Sequence, residues 1–284
     1  MHIELIEKDY PYQHWQYLNL ETGDRLRIVP ERGGLISEWL CNNKEILYFD
    51  INRFESNEKS VRGGIPVLFP ICGDLPNNCL SLSQGNFTIN QHGFARDLPW
   101  QIKVLEEQDG ISLSLFSNEK TLESFPFHFF IEMRIILQKN GLFIKTFINN
   151  VGQQKMPFSF GFHPYFGVSD LNNIVIRGLS KRCTNHIDMK IVSTDSQLAK
   201  LSQGVDFLTS FETSVSFFDL ASQSGIEMQT DSPMDLAVIW TNPPRQMVCM
   251  EPWTSPRGSL STGQRRLFLE PGKSQELVCK FISL

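Results

Sequence analysis

No apolar run in the 284 residues approaches the ~18–20 that a membrane-spanning helix needs. The N-terminus, MHIELIEKDYPYQHW, lacks the basic segment followed by an apolar one that marks a secretory signal. Nor is there a basic excess: 26 Lys and Arg face 31 Asp and Glu, for a net charge of −5, with no block of like charge. The charge balance argues against a nucleic-acid partner, and the missing apolar run against a membrane one. With no export route visible, a cytoplasmic location and six free thiols are the expectation for Cys41, Cys72, Cys79, Cys183, Cys249 and Cys279. Cys72 and Cys79 fit none of the usual zinc spacings, so no metal site is expected. Phosphate-binding loops, H-E-x-x-H, G-x-S-x-G and strand–GxGxxG–helix units are missing too, which leaves nucleotide, zinc-hydrolase and serine-esterase chemistry without support. Trp and Tyr number only five each, against 22 Phe, a side chain that fills interiors and has no polar handle.

What the sequence does have is alternation of period two. Ile111 to Phe116 alternates, and Ile131, Met133 and Ile135 oppose Glu132 and Arg134. Lys139-Asn140-Gly141 then reads as a hairpin turn. From Leu142 to Ile148 apolar residues occupy one face while Phe143 and Phe147 sit on the other, which predicts a strand covered on both sides. Further strands are expected near 213–220, 225–230, 235–240 and 275–283, and a short helix at 196–203. Long amphipathic helices, repeats and linkers are missing. The expectation is one all-β domain over 1–284, built of antiparallel strands in two packed sheets with few short helices.

Four segments set ionisable side chains among glycines, prolines and rings: RGGIPVLFP (62–70), HGFARDLPW (92–100), FGFHPYF (160–166), and VIWTNPP with CMEPWTSPRGSL (238–260). Glycine permits close backbone approach, and burial beside rings moves a pKa toward catalytic usefulness. Each residue alone also has a plain reading. His163 suits a hydrogen-bonded core histidine, His92 a turn cap, Arg96 a pair with Asp97, and Glu251 before proline a solvated loop residue. Trp100 and Trp253 suit packing.

Taken together and in this order, the four segments resemble the aldose 1-epimerase (mutarotase) superfamily, and its glucose-6-phosphate 1-epimerase branch in particular. The resemblance implies a large antiparallel β-supersandwich of the galactose mutarotase type, with a sugar cleft on one concave sheet. It implies cofactor-free and metal-free interconversion of α and β anomers by ring opening and closure. By motif position Glu251 becomes the base for the C1 hydroxyl, His163 the acid for the ring oxygen, and His92 a polarising group. Arg62 and Arg96 would edge the cleft and hold a phosphate or neutral hydroxyls of a sugar or sugar phosphate. Several of the five phenylalanines in these segments (69, 94, 160, 162 and 166) would wall the cleft. Relatives of this type carry a sugar-binding Asp, often followed by a basic residue, between the last two segments. No such dipeptide occurs here, so Asp206 is taken as the substitute, with Asp219 and Glu212 as alternatives. A monomer or weak dimer is expected. A carbohydrate-binding protein without turnover is the rival reading, and a glycoside hydrolase or lyase a third, although hydrolases need two flanking carboxylates.

Overall fold

Nearly every alternating segment of the sequence is a strand in the computed structural model, which describes residues 2–56, 60–105 and 107–284. Ile131, Met133 and Ile135 are buried on one face of Phe129–Gln138, and Glu132 and Arg134 lie on the other. This strand turns at Lys139-Asn140, with Asn140 at φ 61°, and runs back as Gly141–Asn150, pairing Gln138 with Gly141. Among the described residues the α-helices are short, the longest being Glu119–Ser124. The expected 196–203 helix is present as Thr194–Leu198 followed by a 3₁₀ turn, Leu201–Gln203.

Two large antiparallel sheets share one strand. Val205–Asp219 pairs through residues 205–210 with Leu236–Thr241, and through residues 214–219 with Ser224–Thr230. On the first side the order continues through Met247–Trp253 to Gly161–Phe162 and Val67–Leu68. On the second it continues through Ser274–Ser283, Gly141–Asn150, Phe129–Gln138 and Gly110–Phe116 to Gln101–Leu105. The strand register therefore fixes how the two layers stack. Phe166, from the first layer, meets Phe217 and Phe281 of the second with ring centroids 5.6 and 5.4 Å apart. A five-stranded antiparallel sheet precedes both, from Ile3–Lys8 to Lys44–Glu45. The class is all-β, as the alternation indicated.

Two expectations need correction. Phe143 and Phe147 are only partly buried and carry cations instead of a third layer: Lys280 Nζ lies 5.4 Å from one ring and the Arg134 guanidinium 4.8 Å from the other. Long cationic side chains cover apolar surface with their stems and keep their charge in water. The phenylalanines of the motif segments do not wall a cleft either. Phe69, Phe160, Phe162 and Phe166 are buried in the main core, Phe94 packs against it, and Phe69 meets Phe129 of the second sheet at 4.9 Å.

Candidate active site

Backbone register brings the polar segments together. Met247–Trp253 pairs Trp253 with Gly161 and Cys249 with Tyr165. Position 163, between those two anchors, thus falls opposite position 251. The same stretch is held from its other edge, since His163 N–H donates to Pro66 O and Tyr165 N–H to Gly64 O, each at 2.9 Å. This is why the HPYF segment depends on both RGGIPV and CMEPW. Glu251 is a strand residue, 1% exposed, and not a loop residue. One strand over, Val238 is opposite Glu251, and two residues along Trp240 is opposite Asp206, so two adjacent rows on three neighbouring strands bring these residues to one cavity.

His92 comes from a turn at φ 69°, followed by Gly93 at φ 72°. A side chain at Gly93 would place Cβ 2.1 Å from Phe69 O, so only glycine fits this close approach. His92 N–H donates to Gly73 O at 2.6 Å, and Gly73 N–H donates back to His92 Nδ1 at 3.1 Å. Because Nδ1 accepts, the ring hydrogen is on Nε2.

One cavity of about 170 Å³ is lined by Arg62, His92, Arg96, His163, Asp206 and Glu251, all six site residues expected from the sequence. His163 Nε2 is 3.4 Å from Glu251 Oε1, and Glu251 Oε2 accepts from Trp253 Nε1 at 3.1 Å. The His163 ring lies parallel to Tyr165 at 4.7 Å and edge-on to Trp240 at 5.7 Å. Arg62 stacks its guanidinium over Trp240, 5.6 Å from the ring centre. Asp206 accepts from or pairs with His186 Nδ1 at 2.7 Å, and its second oxygen is 3.8 Å from Arg257 Nη2. Arg257 also lies 3.3 Å from Asp74.

The other two acids are elsewhere. Asp219 is buried and accepts from Ser169 and the Ala221 N–H, which makes it a loop anchor. Glu212 is exposed and is not part of the cavity lining. His186, Arg257 and Trp240 line the cavity but had no role in the sequence reading. Trp240 and Arg257 stood inside quoted segments, so proximity to Glu251 was a usable signal. His186 lies in none of them, and its burial against Trp253 is visible only in three dimensions.

Burial sets the electrostatics. It pushes the Glu251 carboxyl well above its usual range, with the nearby Asp206 charge adding to the effect. It brings His163 down to about 3, helped by the charges of Arg96 and Arg62. His92 is also held well below its ordinary value, by burial first and by His163 second. Among the described residues, His163, Cys249 and Glu251 have ligand atoms within 4.8 Å of one another. The buried Cys249 thiol, however, is pushed well above 9, which opposes the thiolate that a metal requires.

A sequence profile described as "Aldose 1-epimerase" matches residues 18–281. The chain belongs to the aldose 1-epimerase family. The solved structure of the Slr1438 protein from Synechocystis sp. PCC 6803 is 35% identical, with a TM-score of 0.91, covering 100% of this chain and 99% of that one. A galactose mutarotase-like protein from Clostridium acetobutylicum shares the fold with a TM-score of 0.82 at 19% identity, over 100% and 99% of the two chains. A protein from Cenchrus ciliaris named "Putative glucose-6-phosphate 1-epimerase" is 31% identical over 159 residues, 52% of this chain and 45% of its own. The chromosomal LacX protein of Lactococcus lactis is 32% identical over 162 residues, 53% of this chain and 48% of its own. The match spans about half the length of these two curated relatives.

Proposed function

We propose that residues 1–284 act as one catalytic unit that interconverts the α and β anomers of an aldohexose or hexose 6-phosphate. The observation that carries this reading is the 3.4 Å contact between His163 Nε2 and Glu251 Oε1 in the wall of a polar, sugar-sized cavity. A binding site needs hydroxyl partners. A matched acid and base side by side serve proton transfer.

The opposed shifts favour a proton on Glu251 and a neutral His163 in the resting pair; moving that proton across the contact makes a carboxylate and an imidazolium. Glu251 then takes the C1 hydroxyl proton as the C1–ring-oxygen bond breaks, and His163 Nε2 protonates the leaving ring oxygen. Rotation about C1–C2 presents the other carbonyl face. The reverse transfers close the ring, so the pair ends with the proton it began with. Charge develops on substrate oxygens during opening, and the neutral His92 Nε2–H is a fixed donor for it. Asp206, oriented by His186 and Arg257, accepts from sugar hydroxyls. Arg62 and Arg96 converge on the side facing His163 and can clamp a phosphate by charge-assisted bonds.

Anomerisation rates by polarimetry or NMR, over phosphorylated and free hexoses, test this reading. Acceleration of at least one aldose is expected. Measurable sugar affinity with no acceleration across the panel would favour the silent carbohydrate-binding alternative.

A further inference from the structure

Arg96 and His163 each face two spaces. On the sugar side Arg96 Nη2 donates to Gln91 O at 2.8 Å, and His163 Nε2 faces Glu251. Two of their other polar atoms, Arg96 Nε and His163 Nδ1, are both buried without a hydrogen-bond partner. Both residues also line a second, smaller cavity of about 10 Å³, walled by Leu35, Val61, Pro66 and Tyr165, with Asp97 and Arg32 among its lining residues; Arg32 Nη1 donates to Phe54 O. A buried polar atom left unpaired loses its solvation without replacement, and buried water is the usual remedy. The second cavity has about the room that one water needs. Arg96 Nε is 3.8 Å from Asp97 Oδ2, too long for a direct hydrogen bond and a spacing at which water bridges.

We propose that one water molecule in this second cavity ties His163 Nδ1 to Arg96 Nε and Asp97, and thereby holds His163 in the tautomer that leaves Nε2 free to exchange its proton. The donor and acceptor inventory fixes the direction of each bond. Arg96 Nε–H only donates, and a carboxylate only accepts. A water that donates to Asp97 turns its two lone pairs to Arg96 Nε–H and His163 Nδ1–H. His163 then keeps its Nδ1 hydrogen whether neutral or protonated. Nε2 alone gains a proton from Glu251, gives it to the sugar ring oxygen and recovers it, so no proton leaves through the second cavity. Asp97 is thus a positioning residue, acting through water and through His163. Arg96 gains a positioning role beside its place in the sugar cavity. The effect on rate rests on the proposed anomerase reading, whereas the tautomer does not.

The test is nitrogen-15 NMR of the His163 ring in wild type, Asp97→Ala and Val61→Leu, with kcat and KM for the best aldose measured alongside. Val61→Leu adds bulk to the cavity wall and displaces the water. The wild type is expected to show the Nδ1–H tautomer. Both variants are expected to shift His163 toward the Nε2–H form, with kcat down about tenfold, the low end for losing an outer hydrogen-bond partner, and KM unchanged. An Nε2–H tautomer in wild type overturns the proposal, as does an unchanged His163 signal in folded variants. If Val61→Leu does not fold, Asp97→Ala decides alone, because Asp97 is exposed. If the wild type accelerates no aldose, the anomerase reading fails and the NMR comparison still decides the tautomer.

Discussion

Glu251 and His163 are shifted in opposite directions by the same cause, removal from water, and this determines how activity should follow pH. Burial holds His163 near 3 and pushes Glu251 well above 4.5. Falling pH protonates the His163 ring only near the lower value. Enzymatic kcat/KM should therefore show no acid limb at the ~6.5 of a free imidazole. A half-loss of activity as pH falls through that value would contradict the assignment. Glu251→Gln and His163→Ala should each lower kcat by roughly 10²–10⁴, the worth of a positioned acid or base, in variants whose circular dichroism is unchanged.

At the scale of elements, the site is a consequence of register. His163 faces Glu251 because Gly161 and Tyr165 pair in step with Trp253 and Cys249 on either side of it. The turn that carries His92 depends on Gly93, whose φ and closeness to Phe69 exclude any Cβ. Gly93→Ala should destabilise the fold by roughly 1–3 kcal/mol through backbone strain, and calorimetry should record the loss. Such elements were unevenly legible in the sequence. Strands with one wet face, such as Phe129–Gln138, show their alternation directly. Met247–Trp253 is buried at every position and contains Pro252, so it has no alternation to read and looked like a loop. Glu251 was legible all the same, because its neighbours Pro252 and Trp253 belong to a recurring motif. His186 was not, since its links to Asp206, one through the backbone at 2.8 Å and one through the side chains at 2.7 Å, join residues 20 apart in the sequence.

For the molecule as a whole, net charge −5 contrasts with a cavity lined by Arg62, Arg96 and Arg257. Arg257 is engaged by Asp74 and Asp206, Arg96 has Asp97 at 3.8 Å, and Arg62 lies over Trp240. Under the proposed reading, a cationic pocket in a chain of net negative charge suits an anionic sugar. Arg96→Ala should therefore raise KM for a hexose 6-phosphate about tenfold or more and change KM for the free hexose little, as steady-state anomerisation would show. Equal effects on both sugars would place the phosphate elsewhere. The phenylalanine excess, in turn, belongs to the contact between the two sheets, so composition reported the size of the core and not the lining of the cleft.

The most direct measurement is magnetisation exchange between the α and β anomers of glucose 6-phosphate and of glucose, with wild type and Glu251→Gln at equal concentration. Wild type should speed exchange of at least one of the two sugars far beyond the buffer rate, and Glu251→Gln should return it to nearly that rate. Exchange at the buffer rate with wild type, or undiminished exchange with Glu251→Gln, would contradict an acid–base anomerase built on Glu251 and His163.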